Sequence, residues 1–478
     1  MPSSPPREPD SKTTSAAAAR ATVDDENACT GADRIALEEA DIEAPPQAVV
    51  RRGGTFESFR ERDFTLFWFG SLVSNTGTWM QTTALALVVF SFRQSSIDLG
   101  VVNFVSGIPI LFLALPAGAL ADRVDKRMLL IIAQAVLMLQ AAALGILYYQ
   151  GRLSSVDPVT AMVWVSALGL LGGVMSALTF PAWQALLPDL VPRDKLMNAI
   201  ALNSAQFQSS RLLGPLVTGG FVLIGASFGN IFMLNAASFL FVIAALWAIK
   251  PHPESESAGH SRPHGAPTES AWARLTAGVS YAREDRTVGA LIVSTAFMTV
   301  FAMPYMMLLP AIVHSSLGAT GQAEQAQVSW LMAANGLGAA AGALIVASMP
   351  TTTRRERLIP VAIIAMGALL VAFALSHNFW LSIPLSVLAG AAFLTVNSLT
   401  NTSIQAAVPG RLRGRVMALF VMAFMGIMPI SAAVFGPIAQ AVGPSEAVLA
   451  GAVVLMGWGI FLLVTRALTR GLAENNQA

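Results

Sequence analysis

Residues 99–149 read LGVVNFVSGIPILFLALPAGALADRVDKRMLLIIAQAVLMLQAAALGILYY. Two apolar runs, 99–121 and 128–149, flank a short charged turn holding Asp122, Arg123, Asp125, Lys126 and Arg127. Each run approaches the ~20 residues that carry a helix across ~30 Å of hydrocarbon. Lipid offers the backbone no hydrogen-bond partner, so runs of this kind are helices. Working outward, the pattern recurs. The first half holds runs at 66–90, 99–121, 128–149, 159–180, 198–224 and 230–249. The second holds 288–313, 327–349, 358–376, 380–402, 416–441 and 446–466. The reading is an all-α membrane protein with twelve transmembrane helices.

Composition excludes the other classes. The chain has 478 residues, 54% apolar and 12% charged, where soluble domains hold ~45–50% and ~25%. Too little polar surface remains to cover a water-soluble fold of this size. The single Cys, Cys29, excludes a disulfide framework and a cysteine-ligated zinc site. His252, His260, His264, His314 and His377 show no metal-ligand spacing, and no P-loop points to ATP. No cofactor, metal or nucleic acid is expected, and the chain is expected to act as a monomer.

The net charge of +1 is a sum of unlike parts. Residues 1–50 hold ten acids and four bases, and the remainder carries +7. The segment 1–55 is rich in Pro, Ser and Ala, lacks apolar periodicity and reads as a disordered acidic cytoplasmic tail. Of the 25 bases past residue 50, 22 fall on the side of the charged turn, leaving Arg93 and Arg152 opposite and Arg211 inside a span. This asymmetry puts both termini in the cytoplasm. The aromatic group Phe64, Phe67, Trp68 and Phe69 suits the inner interface.

A polar connection at 250–287 divides the spans into bundles at 56–249 and 288–467, with a short tail at 468–478. The halves echo each other. Gly118-Ala119-Leu120 returns as Gly342-Ala343-Leu344, and Val191-Pro192 with Ala201-Leu202 returns as Val408-Pro409 with Ala418-Leu419. Two parallel six-helix halves form a transporter architecture with the substrate site at the midplane. Gly169/Gly173 and Gly338/Gly342 are small-xxx-small pairs that permit close helix approach. Prolines at 109, 116, 215, 304, 310, 429 and 437 lie within spans, marking kinks or positions that neighbouring helices tolerate.

The turn from Gly118 through Asp122 and Arg123 to Arg127 resembles the G-x-L-a-D-r-x-x-r-k/r loop of the major facilitator superfamily. That resemblance implies a conformational latch: Asp122 faces the start of the eleventh helix near Gly414 to Val416, and Arg123 and Arg127 pair with Asp189. Residues 59–64, Ser74 to Gln81, Pro181 to Pro192, and Asn203 with Arg211 to Pro215 resemble the transmembrane secretion effector branch, that of the enterobactin exporter. The likeness covers residues 56–470 and implies export of siderophores, antibiotics or other amphipathic compounds across the bacterial inner membrane. Gly214-Pro215 resembles the helix-5 hinge of drug–proton antiporters, although Thr218 stands where that motif has Gly.

Polar residues at helical spacing mark cavity candidates: Ser71, Asn75, Thr78 and Thr82; Thr295, Thr299, Met303 and Met306; Ser398, Asn401 and Gln405. Methionine adapts to varied ligand shapes. Equally, these residues serve interhelical hydrogen bonding and packing. Arg211 at mid-membrane would cost at least ~2.5–3.5 kcal/mol facing lipid, so it faces protein or water. It either lines the cavity and attracts anionic substrate groups, or braces the fold through carbonyls and amides such as Asn203 and Gln206. No carboxylate falls inside a span. Proton coupling would therefore run through Asp63 or Asp122 at the cytoplasmic edge, or the substrate moves down its own gradient. An importer, or a membrane sensor that moves nothing, remains the alternative to an exporter.

Overall fold

Apolar runs that cannot hydrogen-bond to lipid close their backbone bonds internally, and each of the twelve runs is helical. The computed structural model describes residues 54–121, 124–249, 271–350, 355–465 and 468, with no strand among them. The first six helices are α1 (Arg62–Arg93), α2 (Ser96–Ala121), α3 (Lys126–Tyr149), α4 (Pro158–Leu186), α5 (Leu196–Leu223) and α6 (Phe228–Ala248). After them come α7 (Ala271–Glu284), α8 (Arg286–Ala302), α9 (Pro304–Met307) and α10 (Leu309–Ser315). The chain continues with α11 (Gly321–Ser348), α12 (Arg355–Ala374) and α13 (Phe379–Ala407). It closes with α14 (Gly410–Val421), α15 (Met428–Val442) and α16 (Pro444–Thr465).

Ten segments of the described residues are long and apolar enough to cross a membrane. The helices α1 and α5 are as long but carry polar stretches at 74–83 and 203–211, which lower their hydropathy. Those stretches matter for the site. The seventh run is broken into α8, α9 and α10, with Pro304 and Pro310 opening the last two. Proline removes an N–H and clashes with the preceding turn, so each helix restarts there. The eleventh run is interrupted by a π-turn at Met422–Gly426 between α14 and α15.

Helix starts follow the polar residues. Asp125 in the charged turn accepts hydrogen bonds from the Arg127 and Met128 amides and caps α3, and Asp157, Ser227, Asp285 and Asn378 cap α4, α6, α8 and α13. The last third of the polar connection is itself helical: α7 packs on α14, where Gly278 lies against the Arg415 carbonyl.

Packing repeats along the chain. The pairs α2–α4, α3–α6 and α3–α4 have counterparts in α11–α13, α12–α16 and α12–α13. Both small-xxx-small pairs sit at such contacts. Gly169 and Gly173 face Ser106 on α2; Gly338 and Gly342 face the Val387 and Ala391 carbonyls on α13. Without a hydrophobic drive between helices in lipid, this backbone proximity supplies the packing. Two seams join the early helices to the late ones, α5 on α11 and α2 on α15. Large apolar side chains such as Phe112, Leu139, Leu344 and Trp380 remain exposed, as a lipid-facing surface requires. The aromatic group near the α1 start divides: Phe64 and Phe67 are buried, Trp68 Nε1 donates to the Leu202 carbonyl at 2.9 Å, and Phe69 alone is exposed. The expected interfacial belt is thus mostly a packing cluster with α4 and α5, because the α1 start lies against the chain rather than lipid.

Candidate functional site

Two long helices with polar centres, α1 and α5, cross at Gly214, whose α-carbon lies against Trp79 and whose added methyl would stand 2.9 Å from the Met80 amide nitrogen and the Thr76 carbonyl. Only glycine permits that approach. Next to it, Pro215 has no N–H to give the Arg211 carbonyl. That carbonyl faces Gly336 on α11, where an added methyl would stand 2.8 Å away. Thr218 is buried and donates its hydroxyl to the Gly214 carbonyl at 3.1 Å, and α5 continues unbroken through this stretch.

This crossing aims Arg211 into a small pocket of about 10 Å³, room for little more than one water molecule, lined by Trp79, Thr82 and Thr83 of α1, Arg211 and Pro215 of α5, Met306 of α9 and Met332 of α11. Early and late helices both contribute. Arg211 Nη2 donates to Asn335 Oδ1 at 2.7 Å, and Asn335 Nδ2 bonds the buried Tyr305 hydroxyl. The guanidinium lies 5.7 Å from the centre of the Trp79 ring, a cation–π contact. Its Nε is buried with no hydrogen-bond partner. No Asp or Glu forms an ion pair with Arg211 among the described residues.

The expected cavity residues separate into four groups. Thr82 and Arg211 line the pocket, and Thr78 and Asn75 lie one and two turns along the same α1 face, with Asn75 Nδ2 bonded to Gln206 Oε1 at 3.4 Å. Ser398, Asn401 and Gln405 share the face of α13 toward the basic end, and Gln405 Nε2 donates to Asn401 Oδ1 at 2.7 Å. Met303 is half-buried at the α8–α9 break. Thr295 and Thr299 depart from the expectation: both are buried, with hydroxyls donated to the carbonyls of Leu291 and Thr295 at 3.1 and 3.0 Å. Back-bonding to the i−4 carbonyl satisfies a threonine within its own helix, so their face packs instead of lining a cavity.

The brace expected for Arg211 comes from a different amide. Gln206 bonds Ser210 at 3.1 Å, and Asn335, from the later helices, takes the guanidinium. A second buried amide chain was not marked by spacing: Asn235 Nδ2 donates to Gln81 Oε1 at 2.8 Å, Gln81 to Gln140 at 3.2 Å, and Gln140 to the Leu168 carbonyl at 3.3 Å. It ties α6, α1, α3 and α4 together.

At the basic end, Asp189 pairs with Lys126 at 3.2 Å, not with Arg127. Arg127 Nη2 instead donates to the Trp247 carbonyl at 2.7 Å and lies 5.9 Å from that ring. The reason is the helix phase: Lys126 opens α3 on the α4 side, and the next residue turns toward α6. Asp122 and Arg123 lie outside the described residues, as do the side-chain surroundings of Gly118. Asp63 lies 3.6 Å from Arg62. Glu61 and Lys195 form a closer pair at 2.6 Å, and that hydrogen bond raises the lysine pKa above its ordinary value. The opposite end is held by Ser96 N to Gln440 Oε1 at 2.9 Å, Gln322 Nε2 to the Val222 carbonyl at 2.6 Å, and Phe90 packed edge-on against His314. His314 in turn contacts Glu324 at 3.0 Å.

Apolar helices around a shared pocket with a buried cation define a multi-pass membrane transporter, not an enzyme. The chain belongs to the transmembrane secretion effector family of the major facilitator superfamily, whose pattern matches residues 53–478. It is 24% identical over 381 residues to the multidrug efflux pump Tap of Mycolicibacterium fortuitum, covering 79% of this chain and 89% of Tap. It is 25% identical over 349 residues to the enterobactin exporter EntS of Escherichia coli, covering 73% of this chain and 78% of EntS. The fold matches the solved nucleoside transporter NupG at a TM-score of 0.65 with 11% identity, over 84% of this chain and 98% of that one.

Proposed function

We propose that the protein is a secondary active exporter of siderophore-like, drug-like or other amphipathic small molecules, working by alternating access. Twelve spans form two pseudo-symmetric six-helix bundles, and both termini lie in the cytoplasm beneath the inner membrane. The observation that carries this reading is the seam where α1, α5, α9 and α11 jointly enclose the buried Arg211 around a small, closed pocket. A site shared between two halves is opened to either side by rocking one half on the other. The polar α1 face at Asn75, Thr78 and Thr82 continues the pocket toward the basic end, and Ser398, Asn401 and Gln405 face it from α13. Gly214 and Pro215 act as the point on which α5 pivots. Ties at the end bearing Ser96 and Gln322 hold one entrance shut, and Lys126–Asp189 belongs to the latch of the other. The names of Tap and EntS favour export over import.

Efflux from loaded cells tests the reading. Cells that overproduce the chain expel a catecholate siderophore or an amphipathic dye faster than deletion cells, and a protonophore slows that efflux if protons drive it. Uptake in place of efflux would mark an importer; no movement of any compound would mark a sensor.

A further inference from the structure

Among the described residues the pocket holds a cation with no counter-charge. Arginine stays protonated at any physiological pH, and a buried charge is ordinarily paired. Here the guanidinium is met by a neutral amide, the π face of Trp79 and a neutral hydroxyl one step away on Tyr305. One donor goes to Asn335 and Nε is left buried without a partner. Arg presents five N–H donors in a planar fork suited to carboxylate and other planar oxyanions. The Asn335–Tyr305 bond fixes the amide so that its oxygen points at Arg211, which orients the fork without neutralising it. Around it, Trp79, Pro215, Met306 and Met332 supply an apolar and polarisable wall.

We infer that Arg211 is the charge-selecting element of this pocket, and that the transported class is amphipathic anions: an apolar or aromatic body carrying a carboxylate or similar planar oxyanion. The inference rests on the exporter reading and deepens it. In this conformation the pocket is closed to about the size of a water; once the seam between α5 and α11 opens, the anionic group accepts a hydrogen bond from the unpartnered Nε of Arg211 and the body lies against Trp79 and the two methionines. A cationic amphiphile of the same shape is rejected, because it would bury a second positive charge beside the first. Asn335→Asp would supply a carboxylate from within the protein and occupy the site in place of the substrate.

The test uses the full chain in lipid nanodiscs and three probes of one shape: naphthoate, naphthalenemethanol and naphthylmethylammonium. Binding is followed by calorimetry at neutral pH. The wild type is expected to bind the anion on the order of tenfold more tightly than the alcohol, and the cation least. Arg211→Gln is expected to abolish the anion-to-alcohol ratio, and Arg211→Lys to keep part of it. Asn335→Asp is expected to remove the anion preference while the protein unfolds at or above the wild-type temperature. A brace without a binding role would change unfolding temperature but not the ratio. Equal affinities for the three probes in the wild type, or an anion preference that survives Arg211→Gln, overturns the inference. If the wild type prefers the anion yet moves none of the probes across proteoliposomes, the exporter reading fails and the anion site stands.

Discussion

The seam between α2 and α15 is closed by small residues, whereas the seam between α5 and α11 carries a guanidinium. At the first, a methyl added to Gly100 would stand 2.7 Å from the Ala432 carbonyl and 3.1 Å from the Gly436 α-carbon, and the side-chain tie is Gln440 to the Ser96 amide. At the second, Gly336 and Gly219 allow the same closeness, but Arg211 and Asn335 bond across it at 2.7 Å. Both contacts need glycine so that helices can approach without a hydrophobic drive. The contrast shows that close packing is the general requirement of the fold, and the buried polar pair is an addition at one place. A smooth seam permits tilting; a polar seam localises ligand chemistry.

Substitutions can break this contrast, and their effects should descend in order. Gly336→Val places a branched side chain against both the Arg211 carbonyl and the Leu212 α-carbon, each 2.8 Å from an added methyl. Overpacking of this kind costs ~3 kcal/mol, and the purified variant should lose its single symmetric peak in size-exclusion chromatography. Retention of that peak at the wild-type unfolding temperature would show that the polar seam is loosely packed. Asn335→Leu removes the hydrogen bond to a buried charge, worth ~1.5–3 kcal/mol. Its thermal unfolding in detergent should fall clearly below that of the wild type, and a wild-type value would mean that water replaces the amide. Gly100→Ala meets backbone on the smooth seam and should cost ~1 kcal/mol. Its signature is slower transport with unchanged probe affinities, so altered affinities would contradict a purely mechanical seam. Asp189→Asn loses a half-exposed pair with Lys126, worth ~0.2–1 kcal/mol. It should leave unfolding nearly unchanged while increasing cysteine-reagent access at a site engineered on the basic-end face of α13; unchanged access would remove Lys126–Asp189 from the latch.

The sequence made the helices legible because lipid leaves the backbone one solution, and the apolar runs became helix within several residues of their limits, the seventh broken at its prolines and the eleventh interrupted by a π-turn. The glycine pairs at 169/173 and 338/342 were legible for the same reason: small residues at one-turn spacing have few other uses in lipid. The site was legible only in part. Arg211 stood out because its cost in a membrane is large, but its partner Asn335 lies 124 residues away and carries no local mark. The α8 threonines misled because period-four spacing says which residues share a face, not what the face meets. The helix α7 was hidden in a stretch whose overall polarity outweighed the apolar spacing of Trp272, Leu275 and Val279.

The unpaired guanidinium also has an electrical meaning. A charge displaced through the membrane field changes energy by ~2.3 kcal/mol per 100 mV for a full crossing. With an anion seated against Arg211 the loaded pocket is neutral, so its reorientation is insensitive to voltage. The empty pocket keeps its single positive charge. On the anion-exporter reading, the membrane potential would therefore act on the return of the empty carrier and bias which way the vacant pocket faces between cargoes.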